Sequence, residues 1–222
     1  DISHNHRNGV MVNSIENLIA MPKICNNKIF SNNGHGVECI GMGNKSMISK
    51  NQISFNKKAG VQVASSATVS IFDNRIFDNI FQGILVAEHS SAHIERNEIL
   101  GNIKANIALG GDESCNTSII NNRILKGRCE GIFMIDCGKC LIMNNQIKGN
   151  YFGVLSISSI PVIQNNTIIK SKSHAILATK KSKLLLLKNT LKDNTGVGVF
   201  LRDDSCVHMK HCTIEGNVAG YV

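Results

Sequence analysis

Tryptophan is absent from this chain, and only two tyrosines and two prolines occur in its 222 residues. A core built on large aromatics is therefore excluded, and the interior must be aliphatic. Acids are few: 16 Asp and Glu stand against 24 Lys and Arg, a formal net charge of +8. A calcium site made from clustered carboxylates has little to draw on. No apolar run reaches the roughly 18 residues of a membrane-spanning helix. No segment keeps a period of about 3.6 for the ten or more residues an amphipathic helix needs. Neither a secretory signal nor a lipidation motif is legible. The eight cysteines follow no disulfide-framework spacing. Cys39, Cys115, Cys140 and Cys206 stand where small apolar residues also recur, which suits buried free thiols in a reducing compartment. The location expected on that ground is cytoplasmic or nuclear.

What the chain has instead is a repeat. Asn-x-Ile or Asn-x-Leu begins at Asn27, Asn51, Asn74, Asn97, Asn122, Asn145, Asn166 and Asn189, at spacings of 24, 23, 23, 25, 23, 21 and 23 residues. Cys212-Thr213-Ile214 closes the series with the asparagine replaced. Most units carry a second asparagine, such as Asn32, Asn56, Asn79 and Asn150, then a glycine, then an apolar triplet such as Val61-Gln62-Val63. A third short apolar run completes the unit. Runs this short, alternating by two and rich in β-branched residues, read as strands. Leucine-rich repeats share the length without this signature, and a propeller blade needs roughly 40 residues. The fold predicted is all-β, a right-handed parallel β-helix of nine to ten coils, about 23 residues each. At about 4.8 Å per coil the rod is roughly 45 Å long. Like residues should stack inside as columns, and the asparagines should form a hydrogen-bonded ladder. Glycine or asparagine at each corner is expected to supply positive φ, with Asn106 standing in for glycine. Residues 1–222 form one domain on this reading, and the pattern, which starts in mid-coil, predicts an excerpt of a longer chain.

Few residues outside the repeat carry chemistry. Between Lys170 and Lys210 nine basic residues meet three acidic ones. Lys170, Lys172, Lys180, Lys181, Lys183, Lys188, Lys192 and Arg202 are the candidate partner-binding stretch, suited to an acidic protein segment or a polyanionic sugar. Aromatics are not interleaved with them, which disfavours nucleic acid. Asp203-Asp204 is the only adjacent Asp pair, and no partner carboxylate on a neighbouring coil is legible for the acid–base pair of a glycosidase; Asp112 and Glu113 fall in a turn several coils away. Gly34-His35-Gly36 matches a polygalacturonase motif in isolation, without that family's companion motifs. Cys137-Gly138-Lys139-Cys140 lacks the second pair that zinc requires. No catalytic residue, metal, cofactor or membrane contact is predicted.

The unit Asn74-Arg75-Ile76-Phe77-Asp78-Asn79, followed by Gln82-Gly83-Ile84-Leu85-Val86, resembles the repeats of the β-helix F-box-only proteins, substrate receptors of ubiquitin ligases. It resembles equally the β-helix part of the Shc SH2-domain-binding spindle proteins. These resemblances imply a non-catalytic interaction scaffold with a protein partner. The alternative is a polysaccharide lyase, hydrolase or epimerase, or a carbohydrate-binding β-helix.

Overall fold

The computed structural model describes residues 1–15, 18–111 and 116–220. Among them 28 strands form three sheets, of ten, nine and nine strands. Every coil gives one strand to each sheet in turn, and each strand pairs in parallel with its counterpart one coil away. The first sheet runs from Ile2–Ser3 through Lys28–Phe30 to Thr213–Glu215. The second runs from Val10–Asn13 to Val199–Leu201, and the third from Lys23–Cys25 to Cys206–Lys210. Among the described residues no helix is long and apolar enough to cross a membrane.

The register follows from the central isoleucine of each first-sheet strand. Ile29, Ile53, Ile76, Ile99, Ile124, Ile147, Ile168, Leu191 and Ile214 face one another in unbroken succession. From Ile29 to Leu191 every member is fully buried. A slip of one residue would turn such a column out to solvent. Each buried isoleucine contributes about 1.5–3 kcal/mol of transfer free energy. Because the column needs neighbours above and below, that gain arises between coils and not within one.

The asparagines bind coil to coil at the corners. From Asn27 to Asn166, each Nδ2 donates to Oδ1 of the next coil's asparagine at 3.0–3.3 Å. The same Oδ1 accepts the preceding asparagine's backbone N–H at 2.8–3.0 Å. Asn189 ends the row: its amide donates to Ile163 O at 2.7 Å but finds only Cys212 Sγ, 3.9 Å away, in the next coil.

Positive φ lies elsewhere than the spacing predicts. The left-handed residue precedes each ladder position, at Lys50, Asp73 and Arg96 on one corner and Phe55, Asp78 and Lys170 on the next. The recurring corner glycine has a different cause, close approach of coils. A Cβ on Gly36 would lie 2.6 Å from Gly60 O and 2.5 Å from Ile53 Cγ2.

Asn106 is likewise more than a glycine substitute. The second ladder runs Asn5, Asn32, Asn56, Asn79, Asn102 and then meets Gly127, which has no side chain. Asn106 reaches into that gap, accepting from Asn102 Nδ2 and donating to Asn150 Oδ1, both at 2.9 Å. A Cβ on Gly127 would sit 2.8 Å from Asn106 Nδ2, so the two positions have exchanged roles. Asn106→Gly should destabilise the chain by about 2 kcal/mol or more, since buried amide partners are left unpaired at roughly 1–3 kcal/mol each. Asn106→Gly with Gly127→Asn should recover most of the loss in urea unfolding. Equal losses in single and double variants would contradict the exchange.

Candidate functional site

Three consecutive coils gather a cationic surface where the first sheet turns into the second. Lys148 ends the strand Gln146–Lys148 with its side chain outward. Lys126 and Lys170 hold the left-handed position just beyond the first sheet, one coil below and one above. Arg128 and Lys172 follow on the corner itself. All five are exposed, and among the described residues none is ion-paired. Backbone hydrogen bonds fix their order: Lys126 N to Lys148 O at 2.9 Å, Tyr151 N to Cys129 O at 2.8 Å, Lys172 N to Asn150 O at 2.9 Å. Five cations without ion pairs on a few coils, each about 4.8 Å apart, outweigh Glu130, the one acid on these corners, and leave a positive local field for a polyanion.

A cleft of about 440 Å³ opens on the sheet side of this surface, lined by Arg123, Lys126, Lys148 and Lys170 with Glu98 and Gln146. Glu98 is held between Arg75 Nε at 3.2 Å and Arg123 Nη1 at 2.8 Å. The one carboxylate in the cleft is thus already neutralised, and the lysines set its charge.

The candidate basic stretch is divided by the fold. Only Lys170 and Lys172 join this surface. Lys180 and Lys181 occupy the turn between the second and third sheets, in the register of Asp203 and Asp204 one coil on; Lys181 N donates to Asp203 O at 2.8 Å. The Asp203 carboxylate accepts the Thr179 hydroxyl. Arg202 leads into that same Asp turn. Lys183 lines a shallow groove of about 380 Å³ on the third sheet, with Pro161, Leu185 and Val207. Lys188 stands at the corner between the third and first sheets, and Lys192 pairs with Glu215 at 3.4 Å. Lys126, Arg128 and Lys148 escape a reading along the chain. Their signal lies across coils: Lys148 pairs with Leu125 and Ile169, the residues just before Lys126 and Lys170, because the two coils are 23 and 21 residues long.

His35 follows Gly34, which lines a second cleft of about 370 Å³ together with Arg7, Asn8, Glu38 and Lys58; the imidazole itself is not part of that lining. Its Nδ1 accepts the Ala59 N–H at 3.2 Å, and its Nε2 lies 4.0 Å from Glu38 Oε1. Glu38 is fixed from the other side by Asn8 Nδ2 at 2.6 Å. His174 repeats the arrangement, with Nδ1 accepting the Val197 N–H at 2.9 Å. A role that recurs at two corners marks both imidazoles as clasps between coils. Among the described residues no group of three or more His, Cys, Asp or Glu is placed to hold a metal ion. Asp112, Glu113 and Cys115 lie outside the described residues.

The chain matches the family described as right handed beta helix region over residues 1–113 and 106–222, and it belongs to that family. No curated protein matches it. Among solved structures, a variant of the periplasmic alginate epimerase AlgG superposes with a TM-score of 0.72 at 12% identity, over 88% of this chain and 50% of that one. The A-modules of the Azotobacter vinelandii mannuronan C-5 epimerases AlgE6 and AlgE4 give TM-scores of 0.66 and 0.64 at 16% identity. Those matches cover 86% and 87% of this chain and 61% and 62% of theirs. The chain therefore spans about half to three fifths of the structures it resembles, and identity this low shows the fold they share.

The cytoplasmic or nuclear location drawn from the thiols is corrected by these structures, since the fold is carried by a periplasmic enzyme. The physical reason is burial. Cys39, Cys137 and Cys140 are buried, and burial pushes the Cys39 thiol up to about 11. A thiol so protonated is inert in any compartment, so it reports packing and not redox environment.

Burial holds His35 down to about 4, with the Lys58 charge adding to the effect. The folded chain then keeps His35 neutral where the unfolded chain takes up a proton. Stability is full above about pH 6.5 and declines by up to about 3 kcal/mol as pH falls toward 4. His35→Asn, whose Oδ1 can accept the same N–H, should flatten urea-unfolding stability between pH 7 and pH 4.5. An unchanged slope would contradict the assignment.

Proposed function

We propose that this β-helix binds an acidic polysaccharide along the corner between its first and second sheets. The observation that carries this is the set of five unpaired cations, Lys126, Arg128, Lys148, Lys170 and Lys172, on three successive coils. A rigid rod with charges repeated at the coil spacing suits a linear polyanion laid along it. Support comes also from the kind of protein that shares the fold: the AlgG and AlgE structures are named for alginate and mannuronan. Alginate and mannuronan are uronate chains, whose carboxylates match lysine. The role is one of binding, because Glu98, the carboxylate in the cleft, is committed to two arginines.

The ubiquitin-ligase or spindle-adaptor role implied by the repeat yields to this one. An acidic protein segment is the competing occupant of the same surface.

Binding of a mannuronan oligosaccharide at low ionic strength should weaken steeply as salt rises. Lys148→Ala and Lys170→Ala should each lower affinity about fivefold, roughly 1 kcal/mol for one screened charge contact. Lys181→Ala, on the corner between the second and third sheets, should leave it unchanged. Calorimetry that detects no binding at low salt, or equal losses from all three variants, would overturn the proposal.

A further inference from the structure

Aromatic rings are rare in this chain, with two Tyr, eight Phe and no Trp, yet one short row collects several of them beside the cations. Tyr151 packs edge-on against Phe152, centroids 4.9 Å apart at 89°. Phe152 stacks on His174 at 5.9 Å and 15°, and His174 meets Phe200 at 4.8 Å. The row crosses three coils, from the corner onto the second sheet. Tyr151, at its outer end, is 47% exposed. Core packing does not require a large ring there.

The corner that carries Tyr151 is also short. Two residues separate Asn150 from Gly153, whereas three separate Gly127 from Gly131 below and Ser171 from Ala175 above. The backbone at Tyr151 stays bonded to both neighbouring coils, its N–H donating to Cys129 O and its carbonyl accepting from Ser173 N, each at 2.8 Å. Arg128 and Lys172 stand on those neighbours. The result is an exposed aromatic ring with a cation on the corner of each neighbouring coil. The row is uncharged at neutral pH: His174 Nδ1 accepts the Val197 N–H, and burial lowers its affinity for a proton.

We infer that Tyr151 and Phe152 form a stacking subsite for a pyranose ring, which makes the surface selective for uronate chains over other polyanions. This rests on the polysaccharide reading above. A sugar ring presents C–H bonds on its face, carrying partial positive charge that suits the negative face of an aromatic ring. Its carboxylate stands at the ring edge, within the span of cations one coil away. Polyphosphate offers the charge without the ring. An acidic peptide offers carboxylates on flexible side chains without a flat apolar face.

The test uses the whole chain with two probes, a mannuronan hexasaccharide and an inorganic polyphosphate, at one low salt concentration. Tyr151→Ala should weaken mannuronan binding about tenfold and leave polyphosphate within about twofold, while Tyr151→Phe retains both. Lys148→Ala should weaken both. If Tyr151→Ala leaves mannuronan binding intact while Lys148→Ala reduces it, the subsite is wrong and the cationic surface stands. If the unaltered chain binds polyphosphate but no mannuronan, the polysaccharide reading falls and the subsite with it. A single-stranded oligonucleotide that binds more tightly than mannuronan and depends on Tyr151 would reassign the ring to base stacking and overturn the proposal.

Discussion

Everything in this molecule depends on one constraint: a coil must close in register with the coil beneath it. Two interactions enforce it at once. Isoleucine columns in the interior bury apolar surface that no single coil can bury, and asparagine amides at the corners join neighbouring coils by hydrogen bonds. The amides lie in a desolvated interior, where an unpaired group costs more than a paired one gains. Each ladder asparagine is therefore sensitive to its neighbour, and Asn106 shows how a missing member is replaced from another position. At the last coil the replacement is poorer, since Cys212 offers sulfur at 3.9 Å where an amide oxygen would stand.

That constraint frees the outside. Once the interior and corners are fixed, outward positions can vary coil by coil with little cost to the fold. Function on such a rod is written across coils, as a column or diagonal of side chains, and not along the chain. Lys126, Lys148 and Lys170 form such a diagonal, alternating between the end of the first-sheet strand and the position after it. The short corner at Tyr151 comes from the same freedom: one residue is removed while Asn150 and Gly153 keep the ladder and the close approach intact.

The fold was legible in sequence because its signal is the period itself. Asn-x-Ile at near-constant spacing gave the sheet order and the buried column directly. Backbone detail was less legible. Glycine suggests positive φ, but at Gly36 the need is room for Gly60 O, and lysine, aspartate and even Phe55 take the left-handed positions. The candidate surface was half legible. Lys170 and Lys172 stood out in a basic stretch, yet that stretch wraps around the rod and disperses, with Lys181 brought into the register of the Asp203–Asp204 turn. Arg128 and Lys148 became visible as neighbours only when coils were stacked. The thiols misled because a buried, protonated thiol such as Cys39 reports packing and not compartment, and because Cys206, expected inside, is exposed.

The central claim is spatial, that an acidic sugar chain lies on the corner between the first and second sheets. Amide hydrogen exchange of the chain with and without a saturating mannuronan oligosaccharide tests it directly. Slowed exchange confined to residues 126–131, 148–153 and 170–175 is the predicted outcome. Slowing on the third sheet around residues 183–187, or no change anywhere at saturation, would contradict it.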